Sequence, residues 1–225
     1  MIYLPKSQPA PACLAEEKQK KSGTYRCEGV LERLKKDFHN KCYLCERKAP
    51  GSINIEHLRP HKQNRDRMFD WNNLFFACAH CNNVKLDAFS DILDCTRVKD
   101  IEDRIVLHMS PWAKESVSVE ARTDDESTKS TVHLLNAIYN GAGTQNKKLQ
   151  ADNLRQELLD DTNDFRECIN DYYDDDLDEE ERELAKQRIQ RHLKSYSAFT
   201  AFKRQRIRDN KHYMNDFGAY LTDKK

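Results

Sequence analysis

Cys42-Tyr-Leu-Cys45 and Cys78-Ala-His-Cys81 form two C-x-x-C clips; the stretch between them carries Glu56-His57 and Asn73-Leu74, and Asn82 directly follows the last cysteine. Two clips supply four thiolates, the set a tetrahedral structural zinc takes, because each clip places two sulfurs on one tight turn. A redox dithiol or unpaired thiols are the alternative for the same four residues. A Zn2+ filled by sulfur has no position left for water, so any chemistry falls to a second, harder cation. Mg2+ or Mn2+ takes oxygen ligands and retains several waters, which suits a site offering one carboxylate, Glu56, and one amide oxygen, Asn82. His57 titrates near neutral pH and can remove a proton from water, so the constellation points to water activated beside a divalent cation. Each residue also has a plainer role. His57 can be a packing residue, Asn73 can hydrogen-bond its own loop, Asn82 can cap the following helix, and Glu56 and Lys85 can be solvated.

The elements that must position these side chains are readable from periodicity. Val30, Leu31, Leu34 and Phe38 recur at helical spacing and lead into the first clip. Ser52-Ile-Asn-Ile-Glu56 alternates like a short strand, with Glu56 and His57 at its end, and Leu74-Phe-Phe-Ala77 is a second apolar run. Arg59 to Asp70 is polar and contains Pro60, which predicts a loop. Asn82-Asn-Val-Lys85 then opens a helix, completing a ββα unit. His80, between two clip cysteines, is expected to face solvent or substrate. Ile105–Met109 and Ser116–Glu120 predict a hairpin around Pro111-Trp112. Beyond it the chain reads as helical: Ser127 or Thr128 caps one helix ended by Gly141 and Gly143, a second carries Leu154 to Tyr172, Asp178 caps a third bearing Leu184, Ile189 and Leu193, and the tail around Phe199, Phe202 and Ile207 makes a fourth. The expected fold class is therefore α+β, mostly α. An extended amino-terminal arm (1–26) precedes a zinc-stapled module (27–90), then a hairpin and helical region (91–225) for partner or nucleic-acid binding.

The formal net charge of the 225 residues is zero, yet residues 1–90 carry 16 Lys/Arg against 10 Asp/Glu, and residues 91–225 carry 22 against 28. Asp171–Glu181 holds eight acidic residues and no basic one, whereas Arg182–Lys211 holds ten basic and two acidic. Such blocks mark solvated faces or interaction surfaces, and the basic tail, with Lys203, Arg204, Arg206, Arg208 and Lys211, reads first as a solvated face and second as a phosphate-binding one. No run of eighteen apolar residues exists and the first residues lack a secretion signal, so a cytoplasmic protein without membrane partners is expected. In a reducing compartment eight cysteines favour metal binding over disulfides, which leaves Cys13, Cys27, Cys95 and Cys168 as ordinary thiols.

Over residues 42–85 the order of clips, Glu56-His57, Asn73-Leu74 and Cys81-Asn82-Asn-Val-Lys85 resembles the HNH endonucleases of the ββα-metal, or His-Me finger, group. The resemblance implies His57 as general base, Asn73 as the loop-ordering asparagine, and Glu56 and Asn82 as ligands of a catalytic Mg2+ or Mn2+. It departs in having Glu where Asp is usual and Asn82 where His is frequent. Arg59, His61, Lys62 and Lys85 are then the candidate nucleic-acid contacts. More loosely, the Pro-containing start, Glu56 to Pro60, the hairpin and the helix at Thr131 to Asn136 resemble the PtuB family, the HNH subunits of Septu-type anti-phage systems. That resemblance implies a PtuA-like ATPase partner and, in some systems, a retron reverse transcriptase with its RNA–DNA hybrid. Competing expectations are an RNA-cleaving, toxin-like effector and a non-catalytic zinc-stabilised binding module.

Overall fold

The structure, a computed structural model, describes residues 1–110 and 116–223. The first ten residues are extended, and Met1, Ile2 and Leu4 are buried against the chain's own core, with the Leu4 amide donating to the Cys95 carbonyl at 2.8 Å. The arm is not extended throughout, because Ala12–Gln19 forms a helix, α1. Good helix formers run through it, yet only Leu14 is buried, so it leaves no apolar period to read. Cys13 and Cys27 are joined by a disulfide across a Cα–Cα distance of 6.2 Å, which corrects their reading as ordinary thiols. Cys95 and Cys168 are free and buried.

Helix α2 (Val30–Asp37) buries Val30 and Leu34, while Leu31 stays exposed. Strand β1 (Ile53–His57) pairs antiparallel with β2 (Leu74–Cys78), in a register that sets Ile53 opposite Cys78 and His57 opposite Leu74. The intervening segment contains two short helical turns, α3 (Arg65–Met68), capped by the Asn64 side chain, and a 3-10 turn at Trp71–Asn73 capped by Asp70. Helix α4 (Ala79–Lys85) begins three residues before Asn82, and its cap is the Cys78 sulfur, so Asn82 lies within the helix and is not its cap. A short α5 (Ile101–Arg104) leads into the second sheet, β3 (Ile105–Met109) against β4 (Val117–Ala121). The expected Pro111-Trp112 turn lies outside the described residues.

The rest is helical. Helix α6 (Glu126–Asn140) is capped by Asp125, two or three residues before Ser127 or Thr128; both hydroxyls instead donate to the Asp125 carboxylate. Helix α7 (Gln145–Tyr172) follows, then α8 (Glu179–His192), which starts with a reciprocal capping box between Asp178 and Glu181. Ile189 and Leu193 are buried there, but Leu184 is 55% exposed. The tail forms two helices, α9 (Thr200–Arg208) and α10 (Lys211–Phe217). The chain is α+β with helix predominant. Among the described residues no helix is long and apolar enough to cross a membrane.

One apolar cluster gathers Met1, Leu34, Phe38, Phe75, Leu135, Ile138, Leu154 and Phe202, so arm, zinc-clip segment and carboxy-terminal helices share a core. A smaller one around Phe165, Ile189, Ile207 and Phe217 ties α7 to α10. A set of buried or half-buried charges corrects the solvated reading of the basic tail. Lys203 is fully buried and bonds Asp161 at 2.7 Å, while Arg204 and Arg208 both hold Glu102, at 2.9 and 3.2 Å. Lys41, equally buried, donates to the Ser197 carbonyl at 2.7 Å and faces Glu46 at 3.5 Å. Arg206 and Lys211 do remain exposed.

His192 sits beside this set with its Nδ1 3.2 Å from Lys203 Nζ. Burial, then the charges of Lys203 and Arg188, push its pKa from 6.5 down to about 4. The folded chain thus refuses a proton that the unfolded chain accepts below pH 6.5, so stability must fall as pH drops through that window. Urea midpoints should decrease from pH 7 to pH 5, and His192→Gln should flatten that decrease; an unchanged slope in the variant would assign the loss to other groups.

Candidate active site

The sulfurs of Cys42, Cys45, Cys78 and Cys81 are all buried and lie within 4.8 Å of one another. Cys45 Sγ and Cys78 Sγ are 3.9 Å apart, close to the ~3.8 Å edge of a tetrahedron built on Zn–S bonds of about 2.3 Å. Tight backbone turns shape both clips. The Glu46 amide donates to the Cys42 carbonyl and the Cys42 amide to the Arg47 carbonyl, with Glu46 in the left-handed region at φ 59°, and in the second clip the Cys81 amide points to Cys78 Sγ. Burial drives the Cys45 and Cys81 thiols well above their ordinary range, whereas hydrogen bonds from its cysteine neighbours pull Cys78 below it. Four sulfurs gathered this closely in the interior match the donor set of a divalent cation with soft-ligand affinity.

His80 is not solvent-facing. It is 4% exposed, and its Nε2 lies 2.8 Å from the Ile138 carbonyl at the end of α6. Tyr139 Oη donates to the Cys45 carbonyl at 2.8 Å, so α6 is bolted to both clips.

His57 ends β1, buried to 8% exposure, with its Nε2 3.0 Å from the Met68 carbonyl. A carbonyl only accepts, so Nε2 carries the proton and Nδ1 keeps its lone pair. Nδ1 has no hydrogen-bond partner among the described residues. The ring is flanked edge-on by Tyr25 at 4.6 Å and His61 at 4.7 Å. Burial lowers its pKa below the ordinary value against the pull of the Met68 carbonyl, and His61, Lys85 and Arg26 add to the lowering.

Asn73 orders the loop that aims this histidine. Its Oδ1 accepts from the Arg59 amide at 2.8 Å, and its Nδ2 donates to the carbonyls of Arg59 at 2.9 Å and Arg67 at 3.1 Å. The two ends of the 59–67 loop are thereby tied together one residue before Met68, whose carbonyl holds His57.

Glu56 is half-buried, and Lys85 Nζ donates to its Oε1 at 2.7 Å and to the His57 carbonyl at 3.0 Å. Lys85 is fully buried, which corrects its reading as a solvated or nucleic-acid-facing residue. Burial raises the Glu56 pKa even with Lys85 beside it. Glu56 Oε2 and the half-buried Asn82 side chain have no hydrogen-bond partner among the described residues. Two free oxygen donors on adjoining elements, a strand end and a helix, fit a hard cation that completes its shell with water. Of the other expected nucleic-acid contacts, Arg59 is engaged by the Ser90 carbonyl and Asp91, His61 accepts from the Gln63 amide, and Lys62 is exposed. Two residues carry no signal of their role in the sequence: Tyr25, which reaches the loop from outside the clips, and Arg65, which lies in the loop and donates to the carbonyls of Glu17, Lys18 and Lys20.

Stripping the metal should unfold the clip segment, because buried metal ligation contributes folding free energy directly. Elemental analysis should find one zinc per chain. Cys78→Ser should lose both the zinc and the near-ultraviolet circular dichroism of the buried Trp71. A zinc-free variant with that signal intact would remove the metal from the folding account.

No curated protein matches the chain. Residues 42–87 match the family of HNH endonucleases, and that segment with its four-cysteine cluster fits an HNH zinc-binding module.

Proposed function

We propose that the protein is a metal-dependent HNH endonuclease that hydrolyses phosphodiester bonds in nucleic acid, with DNA as the first substrate to test. The observation that carries this reading is the fixed tautomer of His57: Nε2 is spent on the Met68 carbonyl, and Nδ1 is left as a base at the strand end that also bears Glu56. His57 Nδ1 removes a proton from the attacking water. Asn73 keeps the 59–67 loop, and with it the Met68 carbonyl, in register. Glu56 Oε2 and Asn82 would hold Mg2+ or Mn2+, while Lys85 holds Glu56 in place through its other oxygen. Bound there, the cation supplies Lewis-acid stabilisation of the charge that develops on the phosphoryl and leaving oxygens. The products carry 5′-phosphate and 3′-hydroxyl ends.

The looser resemblance to Septu-type HNH subunits supports a second part of the reading: the nuclease acts in bacterial antiviral defence, in the cytoplasm, under a PtuA-like ATPase. The exposed acidic stretch Asp174–Asp176, beside α8, is the surface we assign to that partner. Deleting residues 171–225 removes part of the core, so Asp174, Asp175 and Asp176 replaced by Asn is the cleaner variant. It should lose co-purification with the ATPase while keeping its zinc.

His57→Ala should lower Mg2+-dependent cleavage of plasmid or single-stranded DNA by about 10²–10⁴-fold, the usual worth of a positioned base. Because the imidazole is held below 6.5, the wild-type rate should climb with pH to a midpoint under 6.5 and level off above it. Cleavage by the alanine variant at the parent rate would remove His57 from the chemistry. Cleavage of RNA in preference to matched DNA would move the reading to an RNA-directed effector.

A further inference from the structure

The residues joined by the Cys13–Cys27 disulfide lie outside the matched segment, yet they are fastened to the loop that positions His57. Arg65 holds three carbonyls of this arm, and Lys18 pairs with Asp66 at 2.7 Å. The arm is also tied within itself: the Thr24 amide donates to Glu17 Oε2 at 2.9 Å, and the Arg26 amide to Thr24 Oγ1 at 3.1 Å. These ties set the Tyr25 ring edge-on against His57 at 4.6 Å. The next residue, Arg26, is exposed, and its guanidinium makes no ion pair among the described residues; its one ring contact is Tyr25, at 5.6 Å. Most arginines around it are engaged: Arg33 by Ser7, Arg59 by Ser90 and Asp91, Arg65 by the arm. A surface arginine left unpaired on a braced segment, one residue from a ring that touches the candidate base, is poised for an anion arriving at that base. Lys62, exposed and likewise without an ion pair among the described residues, follows His61 on the other flank of His57.

We infer that the disulfide-closed arm is a wall of the substrate groove, in which Arg26 clamps a backbone phosphate of the nucleic acid beside the scissile bond. The inference rests on the nuclease reading above. It adds a binding surface contributed by residues 13–27, and it makes Tyr25 a positioning residue that sets both His57 and the guanidinium next to it. Guanidinium matches phosphate with two parallel N–H···O bonds, so the contact would fix the strand's path and carry no sequence preference.

The test is fluorescence anisotropy of labelled single-stranded and duplex oligonucleotides on the zinc-loaded, full-length His57→Ala protein, across a salt series and without added Mg2+. Adding Arg26→Ala should weaken binding about five- to tenfold near 100 mM salt and reduce the slope of log K against log salt by about 0.7–0.9, one released counterion. Arg26→Lys should keep most of the slope, and Lys211→Ala, exposed on α10, should change neither quantity. Equal affinity and slope in the Arg26→Ala protein would overturn the inference while leaving the nuclease reading standing. If the parent binds neither DNA nor RNA and wild type cleaves neither, the nuclease reading fails and the inference fails with it.

Discussion

Four buried sulfurs hold together a unit that has little else to hold it. The β1–β2 ribbon has five residues per strand and α4 has seven, sizes at which an isolated hairpin and an isolated helix are marginal in water. The clips join the ends of these pieces, and neighbouring elements are fastened to the clips themselves. Tyr139 reaches the Cys45 carbonyl, His80 reaches α6, and the Phe199 amide donates to the Glu46 carbonyl at 3.2 Å. The four-cysteine cluster is therefore a junction for the carboxy-terminal helices as well as a staple for the ββα unit.

Around that junction the chain spends charge in its interior. Glu46 takes an amide from α9 and faces the Met1 amine at 2.9 Å. Burial works to raise its pKa, but Met1 and Lys41 hold it down at about 2. Lys203 with Asp161, and Arg204 with Glu102, repeat the pattern from the same helix, α9. Buried pairs of this kind add little net stability, but removing one partner leaves an uncompensated charge, so the arrangement penalises misdocked helices severely.

Local features were legible in the sequence and distant pairings were not. The clips, both strands, the hairpin and the Asp178 cap could be read because each depends on neighbours within a few residues. Lys85, His80, Lys203 and Arg204 looked like surface residues because their partners lie 29, 58, 42 and 102 positions away. The α1 helix and the Cys13–Cys27 bond escaped for a related reason: one buried leucine makes no period, and a separation of 14 matches no metal spacing. The candidate site shows the same division. Glu56, His57, Asn73 and Asn82 announced themselves by order along the chain, whereas the surroundings that set their states, Met68 and Lys85 in particular, became visible only in three dimensions.

The Asn73 clamp has a consequence for how such a protein can change over generations. By gripping both Arg59 and Arg67, it isolates the shape of the loop's neck from whatever happens at its tip, where Lys62 and Gln63 are exposed and already adopt left-handed backbone angles of 45° and 63°. Residues inserted or exchanged between His61 and Asn64 would lengthen or recolour the tip without shifting the histidine beneath it. Descendants of this chain could thus explore new surfaces at that one point while the setting of His57 stayed in place.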